Sequence, residues 1–183
     1  VSPVLAERRE GLERLVELRA GAHSPLVAYL LTTRIAEPDI SLRAQVIKAL
    51  FDILCFEAGE AEPDEGVCAC LASGLAEMRT RRIFALLQVV DFEPSMTGPV
   101  AALLMACSFA GNQLSSILMD RQLPLTIRKQ AVSFVAEIGY MDAAPALERL
   151  GARLEPKRTP GRGSTEPLPG SEDETTLLPL VYD

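Results

Sequence analysis

The sequence predicts an all-α fold, arranged as a short α-solenoid of three to four antiparallel helix pairs, and two observations carry that expectation. The first is self-similarity: SLRAQVIKALFDI, Ser41 to Ile53, aligns without gaps to TIRKQAVSFVAEI, Thr126 to Ile138. Arg43 matches Arg128, Gln45 matches Gln130, Ile53 matches Ile138, and Asp52 exchanges for Glu137. Ser41 and Thr126 stand 85 positions apart, about twice a helical repeat of roughly 40–47 residues, in which each unit buries its apolar face only against a neighbour. The second is composition. Hydrophobic residues make up 48% of the chain but aromatic ones only 5%, with no Trp, so the core is built from Leu, Ala, Val and Ile, which suits helix-on-helix packing.

In chain order, Pro3 to Arg19 sets Leu5, Leu12, Leu15, Val16 and Leu18 against seven charged residues between Glu7 and Glu17. That is an amphipathic helix with a heavily charged outer side, as a capping helix requires. Ser24 before Pro25 is the favoured cap and first-turn pair, and the apolar face of Leu26, Val27, Leu30, Leu31 and Ile35 stops at Pro38. A tight connection, Glu37 to Ile40, leads into a second helix from Ser41 to Glu57 and completes one antiparallel pair. The acidic stretch Glu57 to Glu65, broken by Gly59 and Pro63, reads as a solvated loop ending on Asp64 as a helix cap.

Further helices are expected over Glu65–Met78, Arg81–Phe92, Gly98–Ala110, Gln113–Asp120, Thr126–Ile138 and Asp142–Leu154, with Pro94, Pro99, Gly111, Pro124 and Gly139 between or at the edges of them. The middle holds a degenerate or fused repeat, because Arg82 matches Arg43 only loosely and one helix is left over. From Pro156 onward the chain is rich in Pro, Gly, Ser and Thr without apolar periodicity, and is read as disordered. Its end, Leu177 to Tyr182, breaks that pattern and reads either as a short extended peptide that docks on this or another protein or as the sticky end of a disordered tail. The domain plan is a capping helix over 1–23, a repeat domain over 24–155 and a disordered tail over 156–183.

Composition also excludes. A formal net charge of −7 argues against attraction to phosphate backbones or anionic membranes as the main activity. No apolar run approaches the ~20 residues that cross a bilayer, so no transmembrane insertion is expected. His23 is the sole histidine and falls in a turn without a nucleophile beside it in any recognisable motif. Cys68 and Cys70 cannot share a helix face, so the four cysteines are assigned to buried core positions and not to a metal or thiol site. Glycines form neither a dinucleotide fingerprint nor a phosphate loop, and the acidic loop lacks the ligand alternation of a calcium site.

Ile127 to Leu150 ends one helix on Ile138-Gly139, turns through Asp142 and opens the next with Pro145, Ala146 and Leu147. In this it resembles HEAT repeats, especially the bacterial HEAT-like type of the phycobilin lyases, and Pro25 to Leu54 resembles one complete HEAT pair. Gly139 can supply the positive φ that ends a helix, and Pro145 starts another without needing its N–H. Arg43 and Arg128 occupy first turns, where a cation gains nothing from the helix dipole, so another role must hold them. The resemblance implies an Arg–Asp ladder, with Asp39 or Asp91 beside Arg43 and Asp120 or Asp142 beside Arg128.

The resemblance also implies a role, since most members of the family are adaptors and scaffolds. A non-enzymatic, cofactor-free, cytoplasmic module that binds a partner protein or peptide by surface is the expectation. In helical stacks the second helix of each pair lines the concave face, which makes Lys48, Asp52, Lys129, Ser133 and Glu137 the candidate contacts. One alternative is the soluble part of a membrane-anchored or signalling bacterial protein, with the Arg/Glu-rich first helix as a juxtamembrane connector and Val1 continuing an upstream segment. A second is a bilin-lyase-like enzyme.

Overall fold

All the periodic segments of the sequence are helical in the computed structural model, which describes residues 2–56, 63–154 and 174–182 and has no strand among them. The chain divides into two compact units, Val1–Ala110 and Gly111–Asp183.

The first unit opens with α1 (Leu5–Glu17), the very short α2 (Ala20–His23), α3 (Pro25–Thr33) and α4 (Ile40–Leu54). Ser24 caps α3, its hydroxyl accepting from the Val27 N–H at 3.4 Å with Pro25 in the first turn. Asp39 caps α4 by accepting from the Leu42 N–H at 2.8 Å, so that helix starts one residue before the expected Ser41. Helix α2 stands where only a turn was expected. Arg19 ends α1 in the left-handed region, φ 48°, and small residues then let one helical turn form against α3 and α4.

The unit continues with α5 (Glu65–Ala76), α6 (Thr80–Phe92), a 3₁₀ turn (Pro94–Met96) and α7 (Thr97–Met105). Helix α4 is its centre, packed by α1, α2, α3, α6 and α7. Helices α3 and α5 approach closely because Gly74 faces Thr32. A Cβ on Gly74 would lie 2.8 Å from the Thr32 hydroxyl oxygen and 3.1 Å from its Cβ. Helix α7 stops at Met105, short of the expected Ala110. The chain turns there to bury Cys107, whose thiol reaches the Ala76 and Met78 carbonyls at 3.7 Å, and to let the Ser108 N–H donate to Ala76 O at the end of α5.

Helix α8 (Ala110–Met119) leads into the second unit, followed by α9 (Leu125–Ile138), a 3₁₀ turn (Met141–Ala143) and α10 (Ala144–Leu154). Gly139 ends α9 at φ 79°, its N–H donating to Val135 O at 3.0 Å. No atom lies within 4 Å of the position a Cβ would take there, so backbone conformation alone, not space, favours glycine at this site.

The expected disordered tail needs correcting over its last residues. Residues 155–173 lie outside those described, but Glu174–Leu177 form a 3₁₀ turn and Leu178–Tyr182 form α11, both packed on α9 and α10. The segment is helical where an extended peptide was expected, and Leu177 is fully buried. The acidic loop expected at Glu57–Glu65 lies largely outside the described residues as well.

Cysteine placement also departs from expectation. Cys107 is buried, but Cys55 and Cys68 are exposed. The buried face of α5 is Val67, Leu71 and Leu75, a four-residue step that leaves Cys68 outside, and Cys55 falls just beyond the last turn of α4.

Candidate functional site

Helices α4 and α9 carry the candidate contacts, and their burial follows one register. Leu42, Arg43, Val46, Ile47, Ala49 and Leu50 are buried in α4, and so are Ile127, Arg128, Ala131, Val132, Phe134 and Val135, their counterparts 85 positions on in α9. A line of polar residues stays accessible on each helix, beside exposed Ala136 on α9 and half-buried Phe51 and Leu54 on α4. On α4 it is Ser41, Gln45, Lys48 and Asp52, and on α9 it is Thr126, Gln130, Ser133 and Glu137, with both glutamines half-buried. These spacings of three and four residues place each set on one face. Lys48, Asp52, Ser133 and Glu137 therefore share a surface register. Lys129 stands at the position of buried Ala44 and is itself half-buried, beside that line.

The paired arginines are structural anchors within their own units. Arg43, 8% exposed, donates from Nε to Glu37 O at 2.7 Å, and from Nη1 to Ala85 O at 3.2 Å and Gln88 Oε1 at 2.8 Å. It thus ties the α3–α4 turn to α6. Burial lowers its pKa from the usual arginine value, partly countered by the charges of Glu37 and Asp39. The expected ladder takes another form here, because Asp39 is engaged as the helix cap and neutral oxygens meet the guanidinium. Glu37, which sequence reasoning passed over, has its side chain 2% exposed and accepts from Arg8 Nη2 at 2.8 Å and Nε at 3.1 Å. That ion pair fastens α1 to the same turn.

Arg128, 2% exposed, donates from Nε to Leu118 O at 2.9 Å and from Nη1 to Glu174 Oε1. Its Nη2 is buried and meets no acceptor among the described residues. The acid facing it is therefore Glu174, where Asp120 or Asp142 was expected. Glu174 also meets Arg121, with Nη2 at 3.2 Å from Oε2, and lies 3.8 Å from Arg153 Nη2. Burial raises the pKa of Glu174, but the hydrogen bond and charge of Arg128 and the charges of Arg121 and Arg153 outweigh it and hold the carboxyl below the usual range. The sequence signal was a glutamate three residues before an apolar run at the end of a Pro- and Gly-rich stretch.

Two open clefts flank these features. In the first unit, a cleft of about 320 Å³ is lined by Leu15, Val16, Arg19, His23, Asp52 and Phe56, so one candidate contact borders an apolar hollow. In the second, an open cleft of about 460 Å³ is bordered by Arg121, Arg128 and Glu174 and by Leu123, Pro124 and Leu125. Among the described residues, no group of three His, Cys, Asp or Glu side chains is placed to hold a metal ion, and no helix is long and apolar enough to cross a membrane. Comparison with protein-family models, curated proteins and solved structures returns no match to this chain.

Proposed function

We propose that this chain is a HEAT-like helical-repeat scaffold that binds a partner protein or peptide through the accessible lines of α4 and α9. The carrying observation is the shared burial register of those two helices, in which six buried positions coincide at an offset of 85 residues and the same four-position polar line stays open on each. Two helices that bury six matching positions and keep a matching polar line open support a contact role, because neither packing nor capping requires Lys48, Asp52, Ser133 or Glu137 at those places.

The test uses the full chain as bait, alongside a variant carrying Lys48→Glu, Asp52→Lys, Ser133→Arg and Glu137→Lys. Loss of one defined set of captured proteins, at unchanged helicity by circular dichroism, is the expected result. Recovery of the same proteins by both baits would remove α4 and α9 as the binding surface.

A further inference from the structure

Three arginines of the second unit, Arg121, Arg128 and Arg153, converge on one carboxylate, that of Glu174. The grip is incomplete. Arg128 is almost fully buried, yet only Nη1 and Nε have acceptors, while Nη2 has none among the described residues. A guanidinium prefers a two-point, fork-like grip on an anion, and a buried donor left without a partner is destabilising. Beside the cluster, the cleft of about 460 Å³ leaves room for a larger ligand. Three residues beyond Glu174, Leu177 is fully buried, and α11 lies against α9 and α10.

We propose that this place is a peptide-binding site for a partner segment carrying an acidic residue followed three positions later by leucine, and that residues 174–182 are its tethered, displaceable occupant. The inference rests on the reading of the chain as an interaction module, but not on the lines of α4 and α9. The occupant specifies the ligand chemistry, a carboxylate for the arginines and a leucine for the apolar seat. Its defect specifies how a partner wins. A tethered segment competes at an effective concentration on the order of millimolar, so a partner must gain something the segment lacks, namely the second point of contact on Arg128. A second copy of this chain offers the same single-point grip and gains nothing over the tether.

The probe is a fluorescent peptide copying residues 173–183, titrated by anisotropy into the full chain and into the full-chain variant Glu174→Ala/Leu177→Ala. Binding to the variant at least about tenfold tighter than to the parent is expected, because the tethered competitor has been weakened. Replacing the peptide's glutamate with glutamine should lower its affinity about tenfold, since a charge-assisted hydrogen bond becomes a neutral one. Equal affinity for both proteins, or equal binding by the glutamine peptide or a scrambled one, would overturn the proposal.

Should the variant lose helicity, the parent chain carries the test. Unlabelled peptide raised above the tether's effective concentration, to roughly ten millimolar, should then speed amide exchange over 177–182, and unchanged exchange there would refute displacement. A dimer of the parent that disappears on Glu174→Ala would assign the site to a second copy and overturn the partner assignment. Each of these failures leaves the capture experiment on α4 and α9 standing, so the two readings fail separately.

Discussion

Arg128 and Glu174, 46 residues apart in the chain, meet inside the second unit, where the carboxylate closes on a guanidinium that is 2% exposed. Neither change is a simple loss of one bond. Glu174→Ala leaves two nitrogens of a buried cation without acceptors, and Arg128→Ala frees the Leu118 carbonyl and takes the buried donor from Glu174 Oε1, which keeps Arg121 Nε at 3.3 Å. Each is expected to cost about 1–3 kcal/mol in urea unfolding followed by circular dichroism. The pair shares one contact, so the double variant should cost less than the sum, with a coupling of about 0.5–3 kcal/mol. Strict additivity would show that the two side chains act independently.

The same pair sets a pH dependence. The folded pKa of Glu174 is lowered, despite burial, by Arg128, Arg121 and Arg153, so its contribution is fully present above the ordinary glutamate pKa of about 4.3. It is lost as pH falls through the lower folded value. Protection of residues 177–182 against amide exchange, corrected for intrinsic rates, should therefore decline only in that acid window. In Glu174→Gln the decline should be absent. A parent chain with the same acid profile as the glutamine variant would remove Glu174 as the titrating anchor.

In the first unit, Arg8 and Glu37 form the comparable buried contact, and Glu37 is the less replaceable partner because its side chain is 2% exposed. Arg8→Ala strands that carboxylate in the α3–α4 turn and is expected to cost about 3 kcal/mol. Arg8→Met with Glu37→Leu removes both charges and should cost less than Arg8→Ala alone. Thermal melts at neutral pH give the ranking, and a double variant weaker than the single would argue that the turn needs the ion pair itself.

The helices were legible in the sequence because their signals are local. Ser24-Pro25, Gly139 and the three- and four-residue apolar spacing each act within a turn or two, and the structure begins α3 and ends α9 at or beside those residues, whereas the Asp39 cap of α4 was read only as a partner for Arg43. Partner choice was not legible, because it depends on distant backbone. Arg43 was expected to find an aspartate but is satisfied by Ala85 O and Gln88, 42 and 45 residues away. Glu174 was assigned to a disordered tail, because nothing in its neighbourhood shows that Arg121, Arg128 and Arg153 converge on it. The two aligned segments bury six matching positions, yet Lys129 was drawn from one position off the line that Ser133 and Glu137 share with Lys48 and Asp52.

Close approach of α3 and α5 depends on Gly74. A methyl group there would sit 2.8 Å from the Thr32 hydroxyl oxygen, and Thr32 is 1% exposed, so the side chain cannot simply rotate into solvent. Gly74→Ala gains helix propensity of up to about 1 kcal/mol, but overpacking at a buried contact costs about 1–3 kcal/mol. Net destabilisation is expected, and Gly74→Val should be worse than Gly74→Ala. A stabilised Gly74→Ala protein would show that α3 moves away at little cost.

The accessible lines of α4 and α9 should respond in the opposite way. Lys48, Asp52, Ser133 and Glu137 are exposed, and surface substitutions away from caps and buried networks usually stay within ±0.5 kcal/mol. Lys48→Glu combined with Ser133→Glu should therefore leave the urea midpoint nearly unchanged. Its effect should fall on association instead. Peripheral charges at an interface act mainly on the rate of encounter, which weakens as salt screens them. For a partner recovered by capture, the variant should change the association rate at low ionic strength and approach the parent at high salt. An equal loss at both ionic strengths would mark these positions as anchors within the contact, and a shifted urea midpoint would return them to a structural role.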